Sequence, residues 1–143
     1  RFTERLKKMN ILLLEQPLPA AMEEEAAYLK KHSPVELFAD ESFVQTSDFP
    51  RLMNCFHGVN VKLMKAGGYL NGMRQLSGAK KHGLKTMLGC MVETTLGISS
   101  AFHLASGADF LDLDSFMLIK DEPFGMLRED QGLLSLCGEE SPC

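Results

Sequence analysis

The sequence predicts an α/β fold in which parallel strands alternate with helices. Three observations carry that prediction: short apolar blocks recurring at a steady interval, helix-patterned segments between them, and charged residues at the block ends. The blocks are Ile11-Leu12-Leu13-Leu14, Val35-Glu36-Leu37-Phe38-Ala39, Val59-Asn60-Val61-Lys62-Leu63-Met64, Thr86-Met87-Leu88-Gly89 and Phe110-Leu111-Asp112-Leu113. They recur at intervals of roughly 25 residues, and each is short enough to be a buried strand.

Between the blocks the pattern turns helical. Residues 20–32 put Met22, Ala26 and Leu29 on one face, with Glu23, Glu24 and Glu25 at the start and Lys30 and Lys31 at the end, an order that suits the helix dipole. Residues 69–82 and 96–106 have helical composition, and Gly83 and Gly107 stand where C-terminal caps belong. Residues 48–55 make a shorter helix that tolerates Pro50 in its first turn. Alternating strands and helices require parallel pairing with right-handed crossovers, which leaves an open doubly wound sheet or a barrel. A closed (β/α)8 barrel needs about 250 residues, so five units make at most part of one. The Gly-rich, charged tail, residues 122–143, is expected to be irregular and to leave the sheet.

With 143 residues and 45% hydrophobic content, the chain can bury one core. No apolar block approaches the ~20 residues of a membrane-spanning helix, so no membrane association is expected. The basic start, Arg1-Phe2-Thr3-Glu4-Arg5-Leu6-Lys7-Lys8, has no apolar run behind it like that of a secretory signal. Cys55, Cys90, Cys137 and Cys143 contain no Cys-x-x-Cys pair, which suggests neither a zinc site nor a disulfide framework and fits the cytoplasm. A net charge of −4 with dispersed lysines argues against nucleic acid and for a small-molecule partner.

The block ends are the most informative positions. The first block runs into Glu15, the second into Asp40 and Glu41, the third holds Lys62 and Lys65, the fourth leads to Cys90 and Glu93, and the fifth carries Asp112 and Asp114. One charge at a strand end is ordinary solvation. Recurrence at all five ends marks the rim where parallel α/β folds keep their chemistry. Clustered buried carboxylates are costly unless a cation neutralises them, and oxygen ligands of this kind suit Mg2+. Lys62, inside an apolar strand, is not simply solvated; desolvated beside a cation, it is expected to be neutral often enough to act as a base. Lys65 is read more plainly, as a contact to backbone or a neighbouring carboxylate. Gly67-Gly68 fits a phosphate-binding turn at a helix start only weakly. His32, His57, His82 and His103 lack metal spacing and read as structural or solvated, while Met53, Met64, Met73 and Met87 read as core filler.

Taken in order, Glu15-Gln16-Pro17, Asp40-Glu41-Ser42, the run Val61-Lys62-Leu63-Met64-Lys65-Ala66-Gly67-Gly68 and Gly89-Cys90-Met91-Val92-Glu93-Thr94 resemble the enolase superfamily, muconate-lactonizing subgroup. Asp112-Leu113-Asp114 is similar to the Asp-x-Asp of dipeptide epimerases of the L-Ala-D/L-Glu type. The resemblance covers residues 10–142. It implies a partial (β/α)8 barrel, residues 1–121, lacking the first strands and the N-terminal capping domain, with residues 122–143 as a tail returning toward that domain. It implies Glu15 and Asp40 as two of three Mg2+ ligands, Lys62 as a catalytic lysine, and Asp112 and Asp114 as receivers of the substrate's α-ammonium group, with Lys65, Glu41, Cys90 and Glu93 behind them. The reaction implied is epimerisation of a dipeptide: the α-proton of an amino acid residue is removed and returned through a Mg2+-stabilised enolate. The family's first metal ligand and its Lys-x-Lys pair lie on earlier strands and are not in this sequence, so the chain by itself is expected to be inactive. Two alternatives stand beside this: o-succinylbenzoate synthesis, N-acylamino acid racemisation or muconate cycloisomerisation on the same fold, and a non-catalytic partial barrel that self-associates through its exposed sheet edges.

Overall fold

The structure, a computed structural model, describes residues 2–45 and 48–138. At its centre five parallel strands run in the order β1-β2-β3-β4-β5, with β1 at Leu13–Glu15, β2 at Glu36–Ala39, β3 at Gly58–Lys62, β4 at Lys85–Gly89 and β5 at Phe110–Leu111. Each strand pairs with its successor in the chain, so the sheet is built of β/α crossover units and forms an open half of a (β/α)8 barrel. The crossovers carry helices α2 (Glu23–His32), α3 (Phe49–Cys55), the single turn α4 (Leu63–Ala66), α5 (Tyr69–Lys81) and α6 (Thr95–Phe102). A further helix, α1 (Phe2–Lys8), precedes β1; its Glu4 near the start and Lys7 and Lys8 at the end complement the dipole, although it is too short to show an apolar period.

Alternation along the strands divides the side chains between two faces. Leu37, Ala39, Val59, Val61 and Leu88 join Leu76, Ala79 and Ile98 in the core beneath the helices. Burying each such aliphatic side chain contributes roughly 1.5–3 kcal/mol, which makes this layer the main source of stability. Phe38, Asn60, Lys62 and Met87 hold the alternate positions and so face the inner side. There Phe38 meets Phe110 edge to face, with centroids 5.6 Å apart at 86°.

The third block ends as a strand at Lys62, because the chain turns into α4 at Leu63. Gly67 and Gly68, at φ 81° and 117°, form the turn joining α4 to α5, and Gly83 follows α5 at φ 74°. Met87 is buried, but Met53, Met64 and Met73 lie 40%, 60% and 45% exposed on the helices rather than in the core. His57 accepts the Leu37 amide at Nδ1 (3.0 Å) and His82 stacks on Phe49, both structural roles. Cys55 and Cys90 carry free thiols.

The tail leaves the sheet but is not irregular. Strands β6 (Leu127–Asp130) and β7 (Leu133–Leu136) form an antiparallel hairpin of their own. Gln131 and Gly132, at φ 51° and 84°, make the two-residue turn that such a hairpin requires. Leu127, 4% exposed, anchors the hairpin in the core beside α6. Residues 139–143, the end of the tail expected to return toward the capping domain, lie outside the described residues. Among the described residues, no helix is long and apolar enough to cross a membrane.

Candidate active site

The strand C-termini place Glu15, Asp40 and Lys62 at the ends of three neighbouring strands. Lys62 Nζ lies 2.9 Å from Asp40 Oδ2 and 3.5 Å from Glu15 Oε1, so one ammonium group serves both carboxylates. Lys65, projecting from α4, donates to Asp40 Oδ1 and, at 2.7 Å, to the Asp40 carbonyl. Asp40 is buried, 9% exposed, and the lysines decide its charge state. Burial pushes its carboxyl upward, but hydrogen bonds and charge from Lys65 and Lys62 outweigh this and hold it below the ordinary carboxylate value. For Lys62, burial presses the pKa down, but the bond to Asp40 and the charges of Asp40 and Glu15 raise it above its usual value. With both carboxylates as its partners Lys62 is held in its charged form; the expected neutral form concerned the lysine beside a cation.

Two amides complete the site, and neither stands out in the sequence. Gln16, at φ 36°, bridges the β1 and β2 ends: its Oε1 accepts from the Asp40 and Ser42 amides at 2.9 and 3.1 Å, and its Nε2 donates to Ser42 Oγ at 2.9 Å. Asn60, on the inner face of β3, donates from Nδ2 to Glu15 Oε1 at 2.7 Å. Polar residues in strands are ordinary; only the pairing across β2 reveals what this one touches.

The remaining predicted residues lie around this cluster without joining it. Glu41 is exposed in the turn after β2. Cys90 donates its Sγ–H to the Asp112 carbonyl at 3.1 Å, and its thiol is pushed up first by burial. Glu93 accepts the Met91 amide at 3.1 Å, ordering the loop between β4 and α6. Asp112 and Asp114, both exposed after β5, border a cleft of about 540 Å³ that also meets Leu111, Met117 and Leu133. They form no ion pair with the Glu15–Asp40–Lys62 cluster among the described residues.

Carboxylate oxygens converging on one positive charge are the hard donor set that suits Mg2+, and Glu15 and Asp40 fit such an ion. Among the described residues, no third His, Cys, Asp or Glu gathers with them.

The family model described as Enolase C-terminal domain-like matches residues 1–129. An L-Ala-D/L-amino acid epimerase of Pedosphaera parvula is 46% identical over 126 residues, 87% of this chain and 36% of that protein. An enolase family member from Agrobacterium tumefaciens with homology to dipeptide epimerases, solved with bound sodium and L-Ala-L-Glu, superposes with a TM-score of 0.88 at 31% identity, over 99% of this chain and 43% of that one. A dipeptide epimerase from Enterococcus faecalis complexed with Mg and L-Leu-L-Tyr has a TM-score of 0.77 at 30% identity, covering 87% of this chain and 36% of its own. The chain thus spans about a third of the length of the curated relatives it matches, 36% and 35% of the first two.

Proposed function

This chain belongs to the enolase C-terminal domain-like family, and on that premise we propose that the protein it forms part of is a Mg2+-dependent dipeptide epimerase, with residues 1–121 as its later barrel units and 122–143 as the tail toward its capping domain. The observation that carries this reading is the sharing of one ammonium, that of Lys62, by carboxylates on two adjacent strand ends. Glu15 and Asp40 would hold the ion together with a ligand from outside this chain; when bound, it supplies positive charge that offsets the negative charge developing as the α-proton leaves.

The chain's own residues account for the rest. Lys62 carries the proton at Nζ on one face of the substrate. In the ion-paired arrangement it is an acid; it accepts a proton once Asp40 and Glu15 are engaged by another cation. Inversion requires a second base on the opposite face, which the resemblance assigns to earlier strands. Asp112 and Asp114, which form no ion pair among the described residues, offer two carboxylates to an α-ammonium group, a charge-assisted recognition that an N-acylated substrate does not satisfy.

Incubating L-Ala-L-Glu with the full-length protein and Mg2+ in D2O should incorporate deuterium at an α-carbon, and Asp112→Asn and Asp114→Asn should raise KM. Exchange on no member of a dipeptide panel would end this reading. Turnover of an N-acylamino acid alone, indifferent to the Asp112 and Asp114 changes, would favour racemisation of that class instead.

A further inference from the structure

Building on the reading above, we propose that Asn60 is a positioning residue for Glu15, and that Gly89 on β4 is what makes the position available to it. Asn60 is 1% exposed, yet among the described residues its Oδ1 has no hydrogen-bond partner. A buried polar atom without a partner lowers stability, and an apolar residue of the same size would avoid that cost. The amide's other end is engaged, since Nδ2 donates to Glu15 Oε1 at 2.7 Å. An ionised carboxylate only accepts, so the amide must present its nitrogen there and turn its oxygen away.

The oxygen is turned over Gly89. A Cβ at that position would lie 2.7 Å from Asn60 Nδ2 and 2.9 Å from Asn60 Cγ, inside contact distance, so any other residue would displace the amide. Glu15 Oε2 accepts no hydrogen bond among the described residues, so one oxygen of the carboxylate is fixed while the other is left for a ligand. A neutral donor suits this task better than a lysine does: it orients the carboxylate without cancelling the charge that attracts a cation.

The test uses the full-length protein, with Mg2+ alone titrated calorimetrically and melting temperatures recorded in parallel. Asn60→Leu should weaken Mg2+ binding by about 10- to 100-fold without lowering the melting temperature, a split that a merely structural role would not produce. Gly89→Ala should weaken Mg2+ binding as well, but should add nothing in an Asn60→Ala background, because it acts only through the amide. If Asn60→Leu does not fold, this double-mutant cycle decides. Wild-type Mg2+ affinity in Asn60→Leu, or an equal Gly89→Ala effect in both backgrounds, overturns the positioning role while leaving the epimerase reading standing. Absence of Mg2+ binding by the wild type overturns both.

Discussion

Each oxygen of Asp40 has its own lysine, and the two lysines are held differently. Lys65 is tied twice to the same residue, through side chain and carbonyl, whereas Lys62 is stretched between two residues on different strands. Lys65 thus serves one residue, and Lys62 bridges two. Replacing Lys62 with Met in the full-length protein should lower α-proton exchange by about 10²- to 10⁴-fold, the usual contribution of a positioned proton-transfer group, as followed by NMR in D2O. At this scale the charged residues were legible in the sequence, because an ionisable side chain at the end of an apolar block is conspicuous. Gln16 and Asn60 were not: their partners lie 24 and 45 positions away, and a neutral amide looks the same whether it is solvated or holding a carboxylate.

Among the elements, the hairpin β6–β7 is anchored by Leu127 and preceded by a carboxylate that ties the chain before it to α6. Glu122 Oε1 accepts the Thr95 amide at 2.9 Å, and Oε2 accepts Thr95 Oγ1 at 3.0 Å and the Gly125 and Phe124 amides at 2.7 and 3.2 Å. The group therefore caps α6 from a distance and ties the tail to it. Burial alone would raise its pKa, but these hydrogen bonds outweigh that and lower it. Since the folded pKa is depressed, the clasp stabilises fully above the unfolded carboxylate value and is lost as pH falls through the folded one. Glu122→Gln should speed hydrogen exchange at Gly125 and Met126 at neutral pH while leaving β3 and β4 protected, and its difference from wild type should vanish in acid. Unchanged exchange at neutral pH would show the hairpin to be held by Leu127 packing alone. The hairpin was hidden in the sequence because Arg128-Glu129-Asp130 breaks the apolar alternation, leaving Gln131-Gly132 as its only local signal.

For the whole molecule, the five parallel strands and their places along the chain were legible because short buried strands write continuous apolar runs. Composition and periodicity alone left open whether the sheet curls into a barrel or lies flat, since closure is a property of strand stagger and of chain beyond these residues; the family motifs decided it. The helix-covered side of the half-barrel should bear most of the stability. Leu88→Ala, at a position with 0% exposure, should cost about 2–5 kcal/mol in urea unfolding, and a loss below about 1 kcal/mol would mean that the central strands are not the core described here.

The Lys62 bridge between Glu15 and Asp40 also bears on how such a protein matures. Interior carboxylates that depended on an arriving metal would repel one another in a newly made chain and hold folding hostage to metal supply. Here Lys62 supplies the counter-charge from within the chain, so Glu15 and Asp40 are compensated as the strands assemble.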